Sequence, residues 1–191
     1  MRRAAARYTS CKLNTPYIRI FSFQPPKGAN LDECRDKVLR RMKHFTDVAE
    51  QHGVILILEN DCGLYGSKDD RCVEILQHCQ SLSLRFAFDS GNFVKDDVNT
   101  MDDAYPKLAE YTDYVHIKDA TSLPKQFVPA GEGDGDILRL LIALKERKYD
   151  GFLSVEPHLD HYLPHASNPK RAVTAIRALK DLLIRADMQW I

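Results

Sequence analysis

The run Leu84-Arg85-Phe86-Ala87-Phe88-Asp89 is almost continuously apolar, closes on a carboxylate and is followed by the turn-forming Ser90-Gly91-Asn92. A strand with one wet face alternates apolar and polar residues. A strand covered on both faces does not, so residues 84–89 read as part of a parallel sheet lying under helices. Four more runs share this character: Tyr17–Phe23 (YIRIFSF), Val54–Glu59 (VILILE), Tyr114–Lys118 (YVHIK) and Phe152–Glu156 (FLSVE).

Helical patterns separate them. Asn30 is placed to cap the first, with Glu33 as its capping-box partner. Val38, Met42, Phe45, Val48 and Ala49 then form an apolar stripe that Gly53 ends. Ser67 with Asp70 opens a second helix through Cys72, Ile75, Leu76 and Cys79. A shorter one covers about residues 101–110. Another follows Asp136, with Ile137, Leu140, Leu141 and Leu144 inward. The last begins at Asn168-Pro169, proline suiting the first helical position, and includes Val173, Ile176, Leu179, Leu183 and Trp190. Five alternating βα units require right-handed crossovers and a parallel α/β sheet. An open doubly wound sheet and a (β/α) barrel both satisfy that order. No G-x-G-x-x-G follows a strand, which counts against dinucleotide binding.

The chain has 191 residues, 44% hydrophobic and 28% charged, which suits a single domain over 1–191. Its 27 basic and 27 acidic residues balance, so no global field draws it to nucleic acid or to an anionic membrane. The five cysteines, Cys11, Cys34, Cys62, Cys72 and Cys79, are odd in number and lack a C-x-x-C pair. They read as reduced thiols of a cytoplasmic protein. No apolar run approaches the ~18 residues of a membrane span. The basic start, residues 1–7, lacks the apolar segment of a signal peptide and reads as the tail of a helix.

Four of the five runs finish on or near a metal-ligating side chain: Glu59, Asp89, His116 and Glu156. In a parallel sheet these ends share one edge, where α/β folds place their sites. Taken singly, Asp89 is explained as a turn cap and His116 as a core histidine. Glu59 and Glu156 are harder to dismiss, because a buried carboxylate needs a partner or a metal. Together, three carboxylates and one imidazole make a hard, oxygen-rich set for one divalent ion, Mn²⁺ first, with Mg²⁺, Co²⁺ or Zn²⁺ as alternatives. Lys118, two residues beyond His116, lies on the same strand face, and His158 stands in the same relation to Glu156. With Asn92 they are candidates for substrate contacts. Arg19 is read as an interior salt-bridge partner. The loop Gly131-Glu132-Gly133-Asp134-Gly135-Asp136 lacks the closing glutamate of an EF-hand and the Gly-Lys-Ser/Thr of a P-loop. It reads as a flexible loop over the strand ends, with Asp136 capping the next helix.

Through Ile18–Phe23, Leu58-Glu59-Asn60, Phe88–Phe93, Val115–Asp119, Pro129–Gly135 and Ser154–His158, the chain resembles the sugar phosphate isomerase/epimerase family. These are the xylose-isomerase-like TIM barrels, which include endonuclease IV, inosose dehydratase and ketose 3-epimerases. The resemblance implies a metal held by Glu59, Asp89, His116 and Glu156. It also implies that the two glutamates, Glu59 and Glu156, are catalytic and exchange protons with a small sugar, sugar phosphate or polyol-derived ketone. Asn92, Tyr65 and Ser122 stand where free-ketose 3-epimerases carry histidine, an acidic residue and arginine, so that specificity does not carry over. The first run aligns with the family's fourth strand. The chain then corresponds to the C-terminal five βα units, strands 4–8, of a (β/α)8 barrel of ~250 residues, with Met1 inside the third helix. Such a sheet exposes two edges, which invites a homo-oligomer. An endonuclease-IV-like zinc phosphodiesterase, and a non-catalytic fragment that keeps the metal ligands, are the alternatives.

Overall fold

The computed structural model describes residues 14–190; Cys11 and the expected helix at the start lie outside them. In chain order the elements are β1 (Tyr17–Phe21), α1 (Leu31–Gln51), β2 (Ile55–Glu59), α2 (Asp69–Cys79), β3 (Leu84–Asp89), α3 (Ser90–Lys95), α4 (Tyr105–Leu108) and β4 (Thr112–Ile117). A short hairpin follows, β5 (Asp119–Thr121) with β6 (Gln126–Val128), then α5 (Ile137–Glu146), β7 (Phe152–Val155) and α6 (Asn168–Arg185).

The main sheet is parallel throughout and its order is β1-β2-β3-β4-β7. Each strand lies beside the one before it. A doubly wound sheet reverses direction at a switch point; this one never does, which is barrel winding and settles the choice the sequence left open. The result is a partial barrel of five strands.

The alternation of side chains sorts the two faces. Leu56, Leu58, Leu84, Phe86, Phe88, Val115 and Ile117 point outward into one core with Met42 of α1, Ile75 of α2, Leu108 of α4, Leu140 of α5 and Leu182 of α6. Ile57 and Glu59, Ala87 and Asp89, and Tyr114 and His116 point the other way, toward the barrel interior. Burial on both faces explains the unbroken apolar runs of β2 and β3.

Several boundaries differ from those expected. Residues 22 and 23 leave the sheet because the buried Ser22 turns its Oγ to accept Gly66 N at 2.8 Å. The second helix begins at Asp69, after a 3-10 turn over Tyr65–Ser67. Residues 101–110 do not form one helix. Asn99 accepts from Met101 N and Asp102 N to open a π-helical turn at Thr100–Ala104, and Pro106, which has no N–H, starts the four-residue α4. Asp136 sits in the left-handed region (φ 53°) and makes no capping bond; its carboxylate pairs with Arg139 instead, at 2.9 Å. Phe45, Val173, Ile176 and Trp190, assigned to apolar stripes, are all more than 40% exposed. The hairpin β5–β6 had no sequence signal, since each strand has three residues.

Candidate metal centre

Glu59 and Asp89 are the last residues of β2 and β3, His116 is next to last in β4, and Glu156 follows β7 by one residue. One ligand atom from each of the four lies within 4.8 Å of every other. The centre of the group is His116 Nδ1, which stands 2.9 Å from Glu59 Oε1, 3.4 Å from Glu156 Oε1 and 3.9 Å from Asp89 Oδ2.

Asp89 divides its oxygens. Oδ1 accepts Asn92 N at 2.9 Å and caps α3, while Oδ2 faces the cluster. Turn cap and candidate ligand are therefore the same residue. Asn60 fixes it further: its Oδ1 accepts Asp89 N (3.1 Å) and its Nδ2 donates to Asp89 O (2.9 Å), which ties the end of β2 to the end of β3. Asn92, expected beside substrate, is buried, and its Nδ2 donates to Asn60 O at 2.8 Å.

Two cations reach the carboxylates. Lys118 Nζ lies 2.8 Å from Asp89 Oδ2 and 2.9 Å from Glu156 Oε2. Arg19 Nη1 lies 3.0 Å from Glu59 Oε2 and 3.1 Å from Glu156 Oε1. Arg19 is thus the expected salt-bridge partner, although its side chain is half exposed on the open inner face. His158 Nε2 is 3.5 Å from Glu156 Oε2 and its side chain is half exposed.

Burial pushes the Asp89 carboxyl up to about 7, against the opposing pull of Lys118 and the Asn92 N–H. For Glu156 burial works in the same direction, but the bond and charge of Lys118, with His116 and His158, win and hold it below the usual carboxylate range. Burial disfavours the charged forms of His116 and Lys118. The carboxylates overcome it, Glu59 chiefly for His116 and Asp89 chiefly for Lys118, and both groups are raised.

The donor set fits a divalent ion. Asp89 Oδ2 and His116 Nδ1 are fully buried, and their close contacts are with other charged groups of the cluster, Lys118 Nζ at 2.8 Å and Glu59 Oε1 at 2.9 Å. Three carboxylates and one imidazole brought this close on largely buried strand ends are a hard, oxygen-rich donor set of the kind one divalent cation would satisfy.

Asp119, Phe127 and Tyr162, to which the sequence assigned no role, complete the surroundings. The buried Asp119 carboxylate accepts Ala120 N, Gly131 N, Gly133 N and Gly135 N at 2.8–3.1 Å. The amides of the glycine loop therefore point at Asp119, and they are not free to cradle a phosphate. A Cβ at Gly133 would come within 2.4 Å of Ala120 O, so only glycine fits. Glu132 of that loop accepts Tyr162 OH at 2.9 Å, linking it to the segment after Glu156. Phe127 of the hairpin lies 5.4 Å from the His158 ring and 5.3 Å from Lys118 Nζ, forming an apolar wall. Tyr65 OH donates to Glu74 (2.6 Å) and Ser122 to Asp134, so both side chains are committed away from the cluster.

Comparison with known proteins gives the same picture. An uncharacterized protein of Methanocaldococcus jannaschii is 26% identical over 135 residues, 66% of this chain and 44% of that protein; the chain spans less than half of that relative. A D-tagatose 3-epimerase-like protein superposes with a TM-score of 0.78 at 23% identity, over 97% of this chain and 68% of that one. The IOLI protein with a binding zinc atom gives 0.76 at 19% identity, over 97% and 69%. At such identities the superpositions show the fold. The family described as xylose isomerase-like TIM barrel matches residues 5–182. Strand order, the ligand cluster at the strand ends and this match agree: the chain belongs to the xylose isomerase-like TIM barrel family.

Proposed function

We propose that this chain carries the metal centre of a divalent-metal-dependent isomerase or epimerase acting on a small sugar, sugar phosphate or polyol-derived ketone. The observation that carries the reading is the convergence of Glu59, Asp89, His116 and Glu156 from four strands on one point. Mn²⁺ is the ion first expected there, and it would supply positive charge to stabilise the oxyanion of an enediolate. Glu59 and Glu156 are assigned the proton transfers, one carboxylate removing the C–H proton beside a carbonyl and the other, or the same one, returning it at the new position. Lys118 and His158 both lie against Glu156 and are assigned to substrate oxygens. Asn92 acts in this reading through Asn60 and Asp89.

The test is exchange of a substrate C–H proton with solvent. Incubation with Mn²⁺ and a panel of ketoses in ²H₂O, followed by NMR, is expected to show deuterium at the carbon beside the carbonyl. Glu156→Gln is expected to abolish it. Robust nicking of abasic DNA with several bound zinc ions would replace this reading with a phosphodiesterase. The open inner face, where Phe152 is 60% exposed, favours a second reading: metal binding without turnover. Mn²⁺ bound with no exchange on any ketose would select it.

A further inference from the structure

Arg19 lies on β1, one edge of the sheet, and Glu156 follows β7, the other edge. Among the described residues no strand pairing joins these edges, yet a single guanidinium nitrogen, Nη1, touches both Glu59 Oε2 (3.0 Å) and Glu156 Oε1 (3.1 Å). Its place in the register explains the reach. Arg19 pairs with Ile57 and Phe21 with Glu59, so Arg19 starts one pleat below the cluster and extends upward along the inner face. The Phe21 ring, 5.0 Å from its guanidinium carbon, flanks it. One layer lower, Tyr17 of β1 meets Tyr114 of β4 edge to face at 6.4 Å. The sheet is curled enough for its first strand to contact its fourth and the end of its last.

We infer that Arg19 is a positioning residue: it holds the two glutamates, which come from non-adjacent strands, at the spacing a divalent ion needs. This rests on the metal reading above. A half-exposed ion pair adds little stability, so its effect belongs to geometry. Glu156 stands one residue beyond β7 and before Pro157; its N–H still donates to Ile117 O at 3.2 Å and Lys118 holds its Oε2 at 2.9 Å, so Oε1 is the oxygen that Arg19 restrains. Glu59 is buried and fixed within β2, and the bridge transmits that fixity to Glu156.

Charge and geometry predict opposite outcomes for Arg19→Met. Removing a cation about 3 Å from two carboxylates would, by Coulomb attraction alone, tighten divalent binding. Removing the bridge would loosen Glu156 and weaken it, on the scale of about tenfold or more seen for outer-shell partners. Isothermal titration of the full chain with Mn²⁺ decides between them, with the Mn²⁺ EPR line shape as a second readout. Weaker binding and an altered spectrum in Arg19→Met, with binding restored to within a few-fold by Arg19→Lys, are expected. Equal or tighter binding in Arg19→Met overturns the inference. Should that variant not fold, Arg19→Gln carries the same test. If the unmodified chain binds no Mn²⁺, the metal reading itself fails and the inference with it.

Discussion

Asp89 shows how one side chain satisfies two demands: Oδ1 caps α3 and Oδ2 faces His116 and Lys118. Its carboxyl, pushed up to about 7 by burial, is protonated below that pH in the metal-free protein, and a cation must displace the proton. Mn²⁺ affinity is therefore expected to rise with pH from pH 5 toward 7, by about tenfold per pH unit for each proton displaced, one from Asp89 and one from His116, whose own pKa is raised. Titrations across that range check it, and a pH-independent affinity would remove Asp89 from the ligand set. Asn60 holds Asp89 through both backbone groups. Asn60→Ala leaves those groups unpaired in a buried place, and a stability loss of about 1–3 kcal/mol in chemical denaturation is expected. The four cluster residues are legible in the sequence because strand ends in a parallel sheet share an edge. The bridge made by Arg19 is not, since its partner lies 137 positions away and depends on how tightly the sheet curls.

Among the elements, β2 and β3 are the most legible, because burial on both faces leaves an unbroken apolar run. Phe88 of β3 is fully buried against Phe93 and Tyr105. Phe88→Ala is expected to cost about 3–5 kcal/mol, read from the denaturation midpoint. The helices α1, α2, α5 and α6 show in their apolar spacing, while residues 100–111 break into three short turns where Asn99 and Pro106 set local hydrogen bonding. The glycine loop is legible as a loop and not as a latch, because its anchor is Asp119 in another segment. Asp119→Ala is expected to strip the Gly131, Gly133 and Gly135 amides of their acceptor and to speed their hydrogen exchange by at least about tenfold. Protection equal to that of the unmodified chain would show that the latch is not what orders the loop.

At the scale of the whole molecule, the order of βα units and the parallel sheet follow from the sequence, and the curvature that distinguishes a partial barrel from an open sheet does not. Exposed apolar side chains stand at both ends of the sheet, Phe21 of β1 with Phe45 of α1, and Phe152 of β7 with Val173 and Ile176 of α6. Strand edges unpaired among the described residues, with apolar neighbours, favour association. The chain is expected to sediment as a concentration-dependent oligomer, and Phe152→Lys to shift it toward monomer; a monomer at all concentrations would contradict this. The central claim is that four strand ends hold one divalent ion. Crystals grown with Mn²⁺ and measured at its absorption edge test it most directly. One anomalous peak within bonding distance of Glu59, Asp89, His116 and Glu156 is predicted, and no peak there, or an ion bound elsewhere on the chain, would contradict it.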